Sequence, residues 1–379
     1  MKWDKVKVGD YCEITSSKRI FFSDYVPAGV PFYRSKEIIQ KHKLQDIDEP
    51  LYITQRKYEE ILEKFGVPES GDMLLTSVGT IGTPYIVKDN DCFYFKDGNL
   101  TWFRRFTDKL LSKFLYYWIQ SHDGAGALYS LAIGSSQKAL TIAALKGMEV
   151  SLPPLPVQRR IADILSAYDD LIENNQKQIK LLEEAAMRLY KEWFVYLRFP
   201  GHENTPIVDG VLEGWERAFT KEFVEFNYGK ALKAGDRIGT KYPVYGSSGI
   251  VGYHDKFLVE APAVIVGRKG NVGSVFISFE NAFPIDTVYF ISTDLSPYYM
   301  YFELKFRTFV NSDAAVPGLN RTFALSMEML RPSDSILEKF DAQVSGLFEL
   351  QRKLNKQSTL LQQARDKLLP KLMSGEIEV

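Results

Sequence analysis

The sequence predicts an α+β chain built twice over: two similar, mostly β domains, each followed by a long helix. The two helices are expected to pair as an antiparallel coiled coil about a pseudo-twofold axis. Three observations carry this. Residues 152–194 (LPPLPVQRRIADILSAYDDLIENNQKQIKLLEEAAMRLYKEWF) hold an unbroken heptad seam. Residues 335–373 hold a second seam, each of whose ten positions lies 179 residues after its counterpart in the first. A strand, a glycine-punctuated loop and another strand precede each helix, in the same order.

A chain of 379 residues exceeds one ordinary domain. Its hydrophobic content of 45% supports sizeable cores, and its net charge of −1 rules out a general polycation. Any nucleic-acid contact must then come from local patches. The first residues, MKWDKVKVGDYCEI, show no apolar signal segment, and no apolar run reaches membrane-spanning length. Cys12 and Cys92 have neither metal-ligand spacing nor a disulfide framework. A cytoplasmic protein with no membrane partner is the expectation.

The first domain is expected over 1–155. Val30, Pro31, Phe32, Tyr33 and Arg34 form a turn entering a short apolar run. Gly71 to Gly82 (GDMLLTSVGTIG) reads as turn, strand and glycine loop, and another strand starts at Pro84. Residues 110–120 (LLSKFLYYWIQ) form an amphipathic helix, a small polar loop follows at 134–141, and a strand over 148–152 leads out.

The first long helix is expected over 156–197, after three prolines that close the preceding segment. Its seam is Ile161, Leu165, Tyr168, Ile172, Asn175, Ile179, Leu182, Ala186, Leu189 and Trp193, in alternating steps of four and three. So narrow a stripe calls for a partner helix, and at 1.5 Å per residue the run is roughly 50 Å long. Asn175 is the one polar residue in this seam, of the kind that fixes register.

The second domain is expected over 198–332, after a turn-rich link (PGHENTPIVDGVLEGWE) in which Trp215 matches Trp3. Residues 263–277 (AVIVGRKGNVGSVFI) repeat the strand, glycine loop and strand, with Gly270 and Gly273 matching Gly79 and Gly82. Residues 297–306 (PYYMYFELKF) repeat the helix, 315–322 the polar loop and 327–330 the strand. The second long helix is expected over 333–379. Its seam is Phe340, Val344, Leu347, Gln351, Leu354, Ser358, Leu361, Arg365, Leu368 and Leu372.

Common catalytic signatures are missing. There is no G-x-x-x-x-G-K-[ST] loop, no H-E-x-x-H and no G-x-S-x-G. His42, His122, His202 and His254 are scattered, and the double proline in Leu152-Pro153-Pro154-Leu155 lacks the polar and aromatic ends of a base-methyltransferase motif. Asp286 with Glu303-Leu304-Lys305 is too loosely spaced for a nuclease set. No catalytic residue, metal or cofactor is expected.

A glycine pair is most commonly a tight turn between strands. The residues around these pairs add more, because Arg, Lys, Asn, Gln and hydroxyl side chains reach phosphates and base edges. In the first half the candidates are Arg34, Ser77, Thr80, Ser136, Gln137 and Lys138. In the second they are Tyr245, Ser247, Ser248, Arg268, Lys269, Asn271, Asn320 and Arg321. A solvated loop side chain is the competing reading for each.

Five stretches carry a resemblance: residues 71–75 (GDMLL), 152–165 (LPPLPVQRRIADIL), 191–195 (KEWFV), 242–246 (YPVYG) and 368–377 (LLPKLMSGEI). In this order, across essentially the whole chain, they resemble the specificity (S) subunit of type I restriction-modification systems. Gln158 fits the family's glutamine after the prolines, whereas the second half has Ile336-Leu337-Glu338 there. The resemblance implies two target-recognition domains, with 156–197 and 333–379 as helical spacers. It also implies a non-catalytic chain that binds double-stranded DNA and two modification (methyltransferase) subunits, with restriction subunits joining in the full complex. The target would be bipartite, one half per domain. The competing class is a coiled-coil adaptor that binds protein only; it explains the helices but not two loop-rich β domains.

Overall fold

The computed structural model describes residues 3–134, 138–208, 210–309 and 318–379. The chain forms two compact units, Met1–Lys177 with Leu354–Val379, and Gln178–Lys353, so each long helix contributes to both.

In the first unit, Asp4–Lys7 pairs antiparallel with Glu149–Leu152. A four-stranded antiparallel sheet follows in the order Glu13–Thr15, Leu100–Arg104, Met73–Thr76, Pro84–Ile86. The strand Met73–Thr76 is buried throughout, as expected of a central strand that opens with the apolar run Met73-Leu74-Leu75. A second sheet has the order Tyr25–Val26, Leu51–Ile53, Val30–Tyr33, Tyr94–Phe95, its last pair parallel.

The second unit repeats the plan. Glu216–Phe219 pairs antiparallel with Glu328–Arg331. Its four-stranded sheet runs Glu225–Tyr228, Val288–Ser292, Ala263–Gly267, Val275–Ser278. A three-stranded sheet runs Gly249–His254, Tyr242–Gly246, Phe283–Pro284, again ending in a parallel pair. Trp3 and Trp215 stand immediately before matching strands and pack on their units' cores.

The predicted helices form over Ser112–Gln120 and Pro297–Phe306. The first unit also has helices not anticipated from sequence, among them Ser35–His42, Gln55–Phe65 and His122–Leu131. Gln55–Phe65 is capped by Thr54, whose hydroxyl accepts from Lys57 N at 3.1 Å, and it buries Tyr58 and Ile61 one turn apart.

The long helices are Leu155–Tyr190 and Asp334–Met373. The first ends short of the predicted 197, because Lys191–Val195 winds as a π-helical turn that buries Trp193 and Phe194. None of the twenty seam residues is exposed. Each unit shows antiparallel pairing by itself. In the first, Ile161 and Leu165 share a core cluster with Leu372, and Asn175 Nδ2 donates to Gln357 Oε1 and Ser358 Oγ at 3.2 Å each. In the second, Gln351 Nε2 donates to Ile179 O at 3.1 Å, and the Trp193 and Phe340 rings meet at 5.8 Å. Asn175 and Ser358 thus pair seam to seam, while Gln351 bonds a backbone carbonyl and Arg365 pairs with Asp169, which lies outside the seam.

Buried Gln158 ties the start of the first long helix to its domain. It donates to Lys109 O and Pro153 O at 2.8 Å and accepts from Leu111 N at 2.9 Å. At the matching place in the second helix, Leu337 is buried in an apolar core.

Candidate nucleic-acid interface

The two glycine loops are built by the same backbone bonds. In the first unit, Thr76 N donates to Thr83 O (3.0 Å), Gly82 N to Thr76 O (2.8 Å), Ser77 N to Asn99 O (2.8 Å) and Leu140 N to Ser77 O (2.8 Å). In the second, Gly267 N donates to Ser274 O (2.7 Å), Gly273 N to Gly267 O (2.9 Å), Arg268 N to Thr287 O (2.9 Å) and Leu319 N to Arg268 O (2.8 Å). Gly79, Gly82, Gly270 and Gly273 have φ of 78°, 85°, 78° and 77°, a region glycine enters without the Cβ penalty.

These bonds bring the polar loop beside the glycine loop in both units, through bridges between Val78 and Ala139 and between Lys269 and Gly318. A short helix follows each polar loop, capped by Thr141 (from Ala144 N, 3.1 Å) and by Asn320 (from Phe323 N, 3.0 Å). Residues far apart in sequence therefore share one surface, as a reading surface requires.

The side chains on the two frames differ. In the first unit Thr80 is exposed, and the Lys138 ammonium sits over the Tyr129 ring at 3.1 Å. Ser136 and Gln137 lie outside the described residues. Ser77 is corrected: it is 2% exposed, with its hydroxyl 2.7 Å from Thr101 Oγ1 and 3.1 Å from Leu75 O, so it braces the sheet and presents nothing to a ligand. Arg34 precedes the helix Ser35–His42 and is tied to Glu37 at 2.6 Å, so its guanidinium is already engaged. Arg104 and Arg105 both pair with Glu13.

In the second unit Ser248, Lys269, Asn271 and Asn320 are exposed, and Ser247, Arg268 and Arg321 half-buried. Tyr245 is corrected: it is 8% exposed in a cluster with Ile265, Ala282 and Val288, because it points inward from its strand. Arg268 Nη1 donates to Asp286 O at 3.1 Å. Its guanidinium lies 5.0 Å from the Tyr228 ring centre and 5.8 Å from that of Tyr289. Arg321 lies 5.8 Å from the same Tyr228 ring. Tyr228 was not among the sequence candidates. It pairs with Tyr289 across the ladder, with ring centres 5.0 Å apart. Burial, then the hydrogen bond to Tyr228, pushes the Tyr289 phenol up to about 12. Among the described residues there is no cluster of His, Cys, Asp or Glu suited to a metal, and no helix long and apolar enough to cross a membrane.

Two half-chain domains on one plan, each leading into a long paired helix, define a modular, internally repeated protein. A sequence-family model described as the type I restriction modification DNA specificity domain matches residues 1–184 and 212–322. The chain belongs to that family. It is 26% identical to the specificity subunit of the type I restriction enzyme MjaIX of Methanocaldococcus jannaschii, with 100% of this chain and 94% of that protein aligned. A putative type I restriction enzyme specificity subunit of Haemophilus influenzae is 27% identical over 49% of this chain and 45% of its own length. The crystal structure of the S subunit of a type I restriction-modification system from M. genitalium shares the fold. Its TM-score is 0.60 at 18% identity, covering 98% of this chain and 96% of that one.

Proposed function

We propose that the chain is the sequence-recognition subunit of a type I restriction-modification complex, reading a bipartite duplex with one domain per half-site. The observation that carries this is the loop frame, built twice with the same backbone bonds and filled with different side chains. Two frames of one geometry fit two stretches of the same kind of ligand, and different side chains fit two different sequences. On this reading the boundaries 1–155, 156–197, 198–332 and 333–379 separate the readers from helical spacers that fix the gap between half-sites. The subunit is non-catalytic and cytoplasmic. It scaffolds two modification subunits, and restriction subunits join to complete the nuclease.

Of the sequence candidates, Thr80, Lys138, Ser247, Ser248, Arg268, Lys269, Asn271, Asn320 and Arg321 remain as the DNA-facing set, together with Ser136 and Gln137, which lie outside the described residues. The test is co-expression with the cognate modification subunit, purification of the complex and mapping of methylated sites across the host genome. A two-part motif with a fixed gap is the expected result. A folded chain that forms no complex and directs no methylation would overturn the proposal and favour the protein-only adaptor.

A further inference from the structure

Four arginines of the first unit are held by carboxylates: Arg34 by Glu37, Arg104 and Arg105 by Glu13, and Arg19 by Asp97. In the second unit, among the described residues, neither Arg268 nor Arg321 pairs with a carboxylate. Both lie within 6 Å of one ring centre, that of Tyr228, which is 54% exposed. Arg321 Nε is buried without a hydrogen-bond partner, so packing against the ring, and no directed bond from that nitrogen, orients it. The two guanidinium groups lie no farther apart than the sum of their distances to that ring centre, and an anion that both can reach offsets their mutual repulsion. A guanidinium lying on an aromatic face keeps its N–H edge available, and that edge matches the oxygens of a phosphate.

We infer that Arg268, Arg321 and Tyr228 form a preorganised clamp for a DNA phosphodiester, with Tyr228 as the positioning residue that holds both guanidinium groups. This deepens the DNA-reading proposal and rests on it. The Tyr228 ring already packs against these two cations and the Tyr289 ring, so its part here is to position them and not to stack a base. The clamp anchors the second domain on the backbone. Sequence reading is left to the neighbouring exposed Asn271, Ser248 and Asn320.

The experiment measures binding of the full chain to a random-sequence duplex over a series of salt concentrations. Arg268→Gln and Arg321→Gln should each reduce the slope of log K against log salt by about 1. Both should weaken binding about equally on every sequence. Tyr228→Leu should lower affinity three- to tenfold at unchanged slope, because both charges remain. Tyr228→Phe should behave like the parent, because the ring is kept. Arg321→Lys separates charge from shape: the slope should persist while affinity falls. Variants that bind with the parent's slope and affinity would overturn the clamp and leave DNA reading intact. A loss confined to duplexes carrying one particular base would also overturn it, as base recognition. A parent chain that binds no duplex at all would overturn both.

Discussion

In the first unit Ser77 hydrogen-bonds Thr101 across the ladder; at the same two places in the second unit, Arg268 lies over Tyr289. The backbone around these pairs is the same in its hydrogen bonds and in the left-handed glycines that turn the loop. One pair is small, buried and mutually satisfied, and the other is cationic, aromatic and half-open. The comparison teaches where information is stored in such a domain. Strand ladders and glycine dihedrals fix the frame, and they are indifferent to what the intervening side chains carry. A loop can therefore change from bracing to contacting without any change of fold.

The largest expected effect breaks the frame itself. A methyl added at Gly267 would overlap Asn271 O and Ser274 Oγ. The matching residue of the first unit is Thr76, whose Oγ1 accepts from Thr83 N at 2.9 Å. Gly267→Ala should cost about 2–4 kcal/mol, whereas Thr76→Ala should cost about 1–2 kcal/mol. Urea unfolding of the full chain would compare the two. Similar losses would mean that the loops do not differ in how tightly they are wound.

A smaller effect sharpens the contrast at the helix starts, where buried Gln158 and Leu337 occupy matching places. Gln158→Leu should cost about 2–3 kcal/mol, because Lys109 O, Pro153 O and Leu111 N lose their partner. Hydrogen exchange should quicken at Leu111 and in the following helix Ser112–Gln120. Unchanged protection there would mean that the glutamine does not hold this junction.

The smallest concerns Ser77 alone. Ser77→Ala should cost about 1 kcal/mol in stability through the lost bond to Thr101. Duplex DNA affinity should stay at the parent's value. A tenfold drop in affinity without loss of stability would return Ser77 to the DNA-facing set.

The long helices were legible because a seam recurs with the period of the helix and needs no knowledge of the rest of the fold. Even its polar members made sense once paired, Asn175 with Ser358 and Gln351 with the Ile179 carbonyl. The glycine loops were legible because Gly79, Gly82, Gly270 and Gly273 break strands at matched places. Which loop side chains face outward was not. Ser77 and Tyr245 look like loop residues, and only the layer of sheet beside each shows that it points inward. Tyr228 was missed for the opposite reason. Its place depends on its register with Tyr289, a distant strand partner that local pattern does not reveal. The helices Ser35–His42 and Gln55–Phe65 are amphipathic, but at 8 and 11 residues each holds only two or three turns, too few for its pattern to stand out from the surrounding chain.

The pairing of Asp4–Lys7 with Glu149–Leu152, and of Glu216–Phe219 with Glu328–Arg331, has a consequence in inheritance. Each β domain opens and closes on adjacent strands, so its two chain ends lie side by side. A segment bounded in this way can be exchanged for a foreign one by two crossovers in the gene, with only a two-stranded ribbon to be resealed. Such a gene can acquire a new half by swapping rather than by accumulating point changes.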